Sequence, residues 1–322
     1  MNQKQITALE KAIDSDYRNI AGMVVRKEGK TLYETYFNDC TPTTAIHVFS
    51  VTKSIVSILI GIAIDKGYIK SIDQNVLDFF PDYISKRGEK TIQGITIQHM
   101  LTMTAPYKYR SAPYTKYFTS HDWVKAALDL LGGKGIIGEF RYTPLIGPDI
   151  LSGILASATG QSVLDFATEY LFAPLGIAVE NTIMFKDKEE QLAFLKAKNI
   201  SGWVADPKGN HTAGWGLTMT AMDMAKIGQL YLNGGIWNGK RIISAGWVDE
   251  STKEHSRWGT HNLPYGYLWW PEIGNGYGAM GDSGNIIYVN ANKKLVISIA
   301  SLYKPTAKDR IRLIMEYIEP MI

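Results

Sequence analysis

The sequence has little of several features that mark large classes of proteins. Its single cysteine, Cys40, has no partner in the chain, which excludes a small disulfide-bonded scaffold. Its 34 basic and 31 acidic residues leave a net charge of +3 over 322 residues, too small an excess for a strong nucleic-acid binder. The uncharged apolar stretch over 54–64 is shorter than the roughly 20 residues of a membrane-spanning helix. We therefore expect neither nucleic acid nor membrane as a partner, and the oligomeric state is open.

What is present is enough apolar sequence for a sizeable core. Hydrophobic residues make up 45% of the chain and charged residues 20%, which is an ordinary globular composition. Near the N-terminus, Ile6, Leu9 and Ile13 recur at steps of three and four residues with charges between them. This spacing predicts an amphipathic helix and not the continuous apolar core of a signal peptide, so we expect a cytoplasmic protein.

Hydrophobic patterning predicts strands at both ends of the chain and helices in the middle. Two β-rich runs, 21–25 and 31–37, are typical of a hairpin. Helices are predicted over 51–66, 97–103, 122–131, 149–159, 163–171, 222–232 and 308–318, and further strands over 266–270, 286–290 and 295–302. Because a lone hairpin is marginal in water, the two ends must meet in one sheet. We predict an α+β fold with a sheet domain of residues 1–48 and 205–322, and a mainly helical domain of residues 49–204.

The sharpest chemical signal lies at the start of the first long predicted helix. Ser50 precedes Lys53 by three residues, so both side chains fall on one face of the helix. A serine hydroxyl needs a base, and a lysine can serve once burial and the positive end of a helix lower its pKa from about 10.4. This S-x-x-K arrangement is used by serine acyl-transfer enzymes. The structural alternative is that Ser50 caps the helix while Lys53 is solvated one turn later.

Further motifs follow in a fixed order along the chain. Phe140–Arg141–Tyr142 precedes a predicted helix, and Ala158–Ser162, Ala173–Ile177, 214–217 and 220–226 come later. Together with S-x-x-K, they resemble the serine β-lactamase-related and penicillin-binding protein family, on its class C β-lactamase and esterase side. The likeness extends from about Ile20 to Tyr303. It implies a β-lactamase/transpeptidase-like fold, in which an antiparallel sheet is flanked by helices and the helical domain carries the nucleophile at its start.

The resemblance also implies a role for each matching residue. Ser50 corresponds to the nucleophile and Lys53 to its general base. Tyr142 matches the tyrosine of the family's Y-x-N motif, which moves protons to and from the leaving group. The backbone N–H groups of Ser50 and Asp282 would form the oxyanion hole, a main-chain role that does not depend on the side chain at position 282.

Two departures from the family pattern concern the substrate. Pro144 stands where Y-x-N has its asparagine, so no side-chain amide is available there. The third motif, on the strand beside the serine, keeps its glycine as Gly281 but has Ala279 in place of a cation, and we assign both positions to substrate binding. We therefore expect a serine hydrolase of small esters or amides, with a β-lactamase or D-Ala-D-Ala carboxypeptidase as the alternative. A non-catalytic binding module of the same fold is a second alternative, although the nucleophile, base and tyrosine are all present.

Other motifs match their patterns less well. Residues 276–281 spell G-x-G-x-x-G, but a dinucleotide site needs a helix after it and here a strand follows. Residues 281–285 resemble the serine motif of trypsin-like proteases, whose disulfide-bonded β-barrel does not suit this chain. His211–Gly214 resembles a third motif but precedes a helix, so we predict a loop. The six histidines lack metal-ligand spacing, so neither metal nor cofactor is expected. A late aromatic cluster packs the core or lines a cleft near Gly281; it comprises Trp258, Tyr265, Tyr267, Trp269, Trp270 and Tyr277.

Overall fold

A computed structural model describes residues 3–322 of the chain. Its α-helices are α1 (Gln3–Asp16), α2 (Val51–Asp65), α3 (Ile97–Leu101), α4 (Tyr114–Phe118), α5 (Trp123–Leu130), α6 (Asp149–Thr159), α7 (Val163–Ala167), α8 (Ala173–Leu175), α9 (Lys188–Lys196), α10 (Ala221–Leu232), α11 (Ala245–Ser251) and α12 (Arg310–Leu313). Its strands are β1 (Ile20–Lys27), β2 (Lys30–Tyr36), β3 (Ile46–His47), β4 (Asn181–Ile183), β5 (Gly202–Val204), β6 (Thr218–Met219), β7 (Ile236–Trp237), β8 (Lys240–Arg241), β9 (Ser256–Trp258), β10 (Leu263–Tyr265), β11 (Trp270–Ile273), β12 (Gly276–Gly281), β13 (Asn285–Asn290) and β14 (Leu295–Ser301). Short 3₁₀ turns occur at Val76–Phe79, Thr91–Gly94, Gly259–His261, Asp282–Gly284 and Glu319–Met321, and π-helical turns at Thr168–Phe172 and Ile314–Ile318.

One six-stranded antiparallel sheet joins the two ends of the chain. Its strand order is β11-β12-β13-β14-β1-β2, so β1 from the N-terminal part pairs with β14 from the C-terminal part. The predicted hairpin is β1 and β2, closed by Glu28 and Gly29, whose positive φ angles of 50° and 79° suit a tight two-residue turn. The α+β fold and the meeting of the ends are therefore confirmed. The domain boundaries at 48/49 and 204/205 stay a prediction, and residues 1 and 2 lie outside the described part.

Both faces of the sheet are covered, because every residue of β13 and β14 is buried. A Cβ built on Gly228 of α10 would lie 2.6 Å from a Val296 methyl and 2.9 Å from an Ile287 methyl, so α10 lies directly on one face. Side chains alternate along a strand, so Tyr288 points to the opposite face. There its hydroxyl donates to Glu319 near the C-terminus. The close approach of α10 explains why position 228 is a glycine.

Helix α2 is buried on all sides, which decides the character of the site at its first turn. Its residues from Val51 to Ala63 are all buried, and it contacts β12 and β13 as well as α6. A Cβ at Gly61 would lie 2.5 Å from the Trp247 ring, so α11 also packs tightly against this helix. A polar side chain in the first turn therefore lies in the protein interior. The predicted helix over 51–66 is confirmed within a residue of its C-terminal end.

Among residues 3–322, no individual helix combines the length and apolar character needed to cross a membrane. Asp149–Thr159 and Val163–Leu175 together meet the length and composition criteria, but the chain bends by 78° between them.

Four element predictions are corrected by the structure. Residues 266–269 do not form a strand, because Leu268 has φ of +60° and the segment bonds to other elements: Tyr267 N–H donates to the Ser251 carbonyl and Leu268 N–H to the Leu101 carbonyl. Of the predicted strand, only Trp270 lies in one, as the first residue of β11. The predicted helices over 163–171 and 308–318 are α-helical only as far as Ala167 and Leu313, and then widen into π turns. The predicted helix over 97–103 ends earlier, at Leu101.

Candidate active site

A strained turn presents Ser50 at the start of α2. The preceding strand β3 pairs with β6, and Val48 N–H extends that pairing by donating to the Leu217 carbonyl at 3.0 Å. Phe49 then takes a positive φ of 52°, which costs a non-glycine residue about 1–3 kcal/mol. The Thr52 hydroxyl donates to the Phe49 carbonyl at 2.7 Å and helps to hold this turn. The chain thereby changes direction sharply just before Ser50, whose side chain is only partly buried.

Ser50 and Lys53 are in direct contact. Lys53 Nζ donates to Ser50 Oγ at 2.7 Å. Ser50 occupies the N-cap position of α2, but its side chain makes no capping hydrogen bond. Lys53 is not solvated, since its exposed fraction is 2%. Both halves of the structural alternative, a capping serine and a solvated lysine, are therefore wrong.

The surroundings of Lys53 favour its neutral form. Lys53 lies in the buried first turn of α2, and its Nζ donates a second hydrogen bond to the Gly214 carbonyl at 2.9 Å. Burial lowers the pKa of Lys53 to about 7, while the carboxylates of Asp282 and Asp149 oppose this by raising it. A lysine with such a pKa is substantially unprotonated at neutral pH and can accept a proton from the hydroxyl it contacts.

Tyr142 lies beside the same two residues. Its ring centroid is 5.8 Å from Lys53 Nζ. The pKa of Tyr142 is raised to about 12. Burial and the negative charge of Asp282 raise it, and a hydrogen bond with Ser50 opposes them. The phenol is therefore protonated at neutral pH and can donate a proton, as a group that assists a leaving group must.

The end of strand β12 lies against the nucleophile. A Cβ built on Gly281 would be 2.3 Å from the Val48 carbonyl oxygen and 3.1 Å from the Ser50 nitrogen, so only a glycine fits there without displacement. Asp282 follows directly and is exposed. Ala279 is fully buried in β12, two residues before Gly281. The roles of Asp282 in an oxyanion hole and of Ala279 and Gly281 in substrate binding stay predictions.

The loop that supplies the Gly214 carbonyl is a part of the site that the sequence does not predict. His211–Gly214 was correctly predicted to be a loop, but nothing marked it as the partner of a lysine 161 residues away. A main-chain carbonyl has no residue-type signal. The only sequence cue is the glycine itself, since a Cβ at position 214 would lie 2.6 Å from the Pro144 carbonyl oxygen.

The late aromatic cluster divides between the core and the site. Trp269 is fully buried and stacks on Tyr231 at 4.2 Å between ring centroids, which is core packing. Trp258 is only half-buried and stacks on Tyr142 at 5.0 Å, and Trp270 packs beside both rings. Trp258 and Trp270 therefore lie beside Tyr142, while a substrate cleft lined by aromatic rings stays a prediction.

Taken together, the site contains a serine hydroxyl in contact with a buried amine, and a protonated phenol beside them. The amine can accept the serine proton, and the phenol can deliver one to a departing group. These are the parts required for transfer of an acyl group to serine. Six residues assigned from the sequence thus lie on three neighbouring segments, namely the start of α2, the Tyr142 loop and the end of β12 with the residue that follows it.

Comparison with known proteins gives a consistent result. A family model described as "Beta-lactamase" matches residues 8–318. The 6-aminohexanoate-dimer hydrolase of Paenarthrobacter ureafaciens is 25% identical over 246 residues, which cover 73% of this chain and 57% of that protein. The chain thus spans little more than half the length of this curated relative.

Solved structures share the fold over nearly the whole chain. A family VIII carboxylesterase superposes with a TM-score of 0.72 at 16% identity and covers 99% of this chain and 97% of its own. A penicillin-binding protein homologue from Caulobacter crescentus gives 0.71 at 17% identity, with 96% of each chain covered. At these identities, the comparison establishes the fold.

Proposed function

The chain belongs to the beta-lactamase family, and from this we propose that it is a serine hydrolase that cleaves small esters or amides through a covalent acyl-enzyme. Ser50 is the nucleophile, Lys53 its general base and Tyr142 the proton donor to the leaving group. The α+β, transpeptidase-like fold suits this chemistry, because it packs the Tyr142 loop against the first turn of α2, which carries both Ser50 and Lys53.

The observation that carries the proposal is the 2.7 Å contact between Lys53 Nζ and Ser50 Oγ. A serine that capped its helix would direct its oxygen at a backbone N–H, and a lysine kept for its charge would reach solvent. Here the lysine is buried at a distance that suits proton transfer, and burial lowers its pKa to about 7. Stability alone gives no reason to bury an amine against a hydroxyl.

The reaction follows from these positions. Ser50 Oγ attacks the substrate carbonyl carbon while its proton passes to neutral Lys53, and the carbonyl oxygen becomes an oxyanion. The backbone N–H groups of Ser50 and Asp282 stabilise this charge. Tyr142 protonates the departing alcohol or amine as the tetrahedral intermediate collapses, and it regains a proton from Lys53. A water molecule then attacks the acyl-enzyme, releases the acid and restores the serine.

Esters and amides are favoured over β-lactams as substrates by two kinds of support. The similar proteins include one named as a carboxylesterase and one named as a 6-aminohexanoate-dimer hydrolase. In addition, Pro144 offers no side-chain amide and Ala279 no charge where β-lactam-binding relatives have an asparagine and a cation. Both losses remove contacts for a substrate that carries an amide and a carboxylate.

Labelling with a fluorophosphonate tests the nucleophile without knowledge of the substrate. Peptide mass spectrometry should find one adduct, on Ser50, in the parent protein and none in Ser50→Ala. Ser57→Ala is a matched control, since Ser57 is buried about two turns further along α2, and this variant should leave labelling of Ser50 unchanged. Absence of an adduct on Ser50 in the folded parent would reject the proposal and favour the non-catalytic module.

Replacing the base provides the second test. Lys53→Arg should lose activity nearly as fully as Lys53→Ala, because a guanidinium keeps its charge and cannot give up its proton. Folding is checked by circular dichroism. A well-folded Lys53→Arg variant that retains more than about a tenth of the parental kcat/KM would contradict a base role, since loss of a general base costs about 10²–10⁴.

A further inference from the structure

A buried carboxylate holds the loop that contacts Lys53. Asp149 is the first residue of α6 and is 2% exposed. Its Oδ1 accepts from the backbone N–H of Ala213 at 2.7 Å and from that of Gly214 at 3.3 Å, and its Oδ2 accepts from the Tyr117 hydroxyl at 2.7 Å. The carboxylate therefore ties α6 and α4 to one point of the loop.

One of the two loop residues that Asp149 binds, Gly214, also contacts the Lys53 amine. The N–H of Gly214 faces Asp149, while its carbonyl accepts from Lys53 Nζ at 2.9 Å. The loop has little freedom on its other side, where a Cβ at Gly214 would meet the Pro144 carbonyl at 2.6 Å. His47 also holds it, since Nε2 accepts from the Gly216 N–H at 2.9 Å. The Gly214 carbonyl is thus held in place, and Asp149 accepts from the same residue that contacts the amine.

We propose that Asp149 is a positioning residue for Lys53. The Asp149 carboxylate holds the Gly214 carbonyl against Lys53 Nζ, and its negative charge favours the protonated form of the lysine. This rests on the proposed function, because it assigns Lys53 as the base. Asp149 does not touch the reacting atoms. It acts through one residue of the loop and through its charge.

The charged groups around the pair agree with this assignment. Burial raises the pKa of Asp149 to about 6, while hydrogen bonds from Tyr117 and the two loop amides lower it and the charge of Asp206 raises it. Asp149 is therefore mostly ionised at pH 7 and above. Burial lowers the pKa of Lys53, and the carboxylates of Asp282 and Asp149 raise it. Tyr142 is a neutral phenol. Without Asp149, the lysine would lose its proton at lower pH.

The pH dependence of Ser50 labelling by an uncharged fluorophosphonate tests this inference. The rate in the parent should rise with pH along a limb set by Lys53. Asp149→Asn keeps an oxygen for the two loop amides but removes the charge. The midpoint of the curve of labelling rate against pH should therefore move to lower pH by about half a unit or more. Asp149→Ala leaves both amides unpaired, so its labelling at the plateau should also fall about tenfold or more.

Asp206→Asn is the matched control. Asp206 is also fully buried and lies in the same loop region, where it accepts from the backbone N–H groups of Trp123, Lys208 and Asn210. Its replacement can cost stability but should not move the midpoint of the pH–rate curve to lower pH, because loss of its charge lowers the pKa of Asp149 and keeps that carboxylate ionised. A merely structural role for Asp149 predicts the same behaviour in both variants, so the shift separates the two interpretations.

Tyr117→Phe keeps the test decisive if Asp149→Asn does not fold. Loss of the phenol donor raises the pKa of Asp149 further, so the midpoint should move in the same direction as in Asp149→Asn. If Ser50 is labelled but the midpoint is unchanged in whichever of these variants folds, the inference is wrong. If Ser50 is not labelled in the parent, the proposed function itself fails.

Discussion

Replacing Lys53 by methionine should change how the stability of the protein depends on pH. Burial lowers the pKa of Lys53 from 10.5 to about 7. Between these two values the unfolded chain binds a proton that the folded protein does not, so the unfolding free energy of the parent rises with pH in this window. Below about pH 7, both states carry the proton, and the folded protein bears the full cost of a buried ammonium. Methionine removes this cost while keeping most of the apolar length.

The size of the effect follows from the two pKa values. The slope is at most about 1.4 kcal/mol per pH unit, and integration from pH 6 to pH 9 gives about 2–3 kcal/mol. Loss of the hydrogen bonds to Ser50 Oγ and to the buried Gly214 carbonyl adds a penalty of about 1–3 kcal/mol to the variant. This penalty does not depend on pH, so it shifts the difference between the two proteins without changing its slope.

Urea unfolding of both proteins at pH 6, 7, 8 and 9 measures the difference. The unfolding free energy of the parent minus that of Lys53→Met should increase by about 2–3 kcal/mol across the series. The difference cancels the titration of groups that do not interact with Lys53. Lys188→Met, which removes an exposed lysine from α9, should give no such slope. A flat difference for Lys53→Met would mean that the buried amine keeps its proton throughout, and the general-base assignment would be refuted.

Three further outcomes are expected. Nitrocefin should have a lower kcat/KM than p-nitrophenyl butyrate, because Pro144 and Ala279 lack contacts worth roughly 10- to 150-fold each, and the reverse order would contradict this. Gly281→Ala should lower Ser50 labelling about tenfold or more, since its Cβ would lie 2.3 Å from the Val48 carbonyl. Gly278→Ala, which creates a clash in the same strand away from the serine, should retain labelling in whatever protein folds. Tyr142→Phe should slow amide hydrolysis about 100-fold or more, but p-nitrophenyl esters far less, since nitrophenolate leaves without a proton; equal losses would argue against proton donation.

The parts of the structure that could be predicted from the sequence are marked either by a pattern within one element or by the order of motifs along the chain. The apolar run of α2 and the glycine after it predicted the helix almost to the residue, because burial on all sides leaves a continuous apolar pattern. Ser50 and Lys53 share one turn, so their spacing alone places them on one face. Tyr142 and Gly281 were found through the order of motifs along the chain and not by any physical rule about distance.

What could not be predicted depends on contacts between distant segments. The segment 266–270 has the residue types of a strand, but Leu268 adopts a left-handed conformation and bonds to Leu101, so tertiary contacts override β-propensity there. The Gly214 carbonyl belongs to the main chain, and sequence reasoning about side chains does not reach it. Asp149 has no distinguishing signal in the sequence, because an acidic residue in the first turn of a helix has an ordinary explanation there.

The environment of Lys53 sets its pKa through two opposed effects. Burial in the first turn of α2 removes water from the amine and favours the neutral form, whereas the carboxylates of Asp282 and Asp149 favour the charged form. Burial alone would make the amine a weaker base, because a lower pKa also means a lower affinity for the serine proton. The carboxylates alone would keep the amine protonated at neutral pH. A pKa of about 7 lies where the neutral fraction and the proton affinity are both substantial, which is the condition for efficient general-base catalysis near neutral pH.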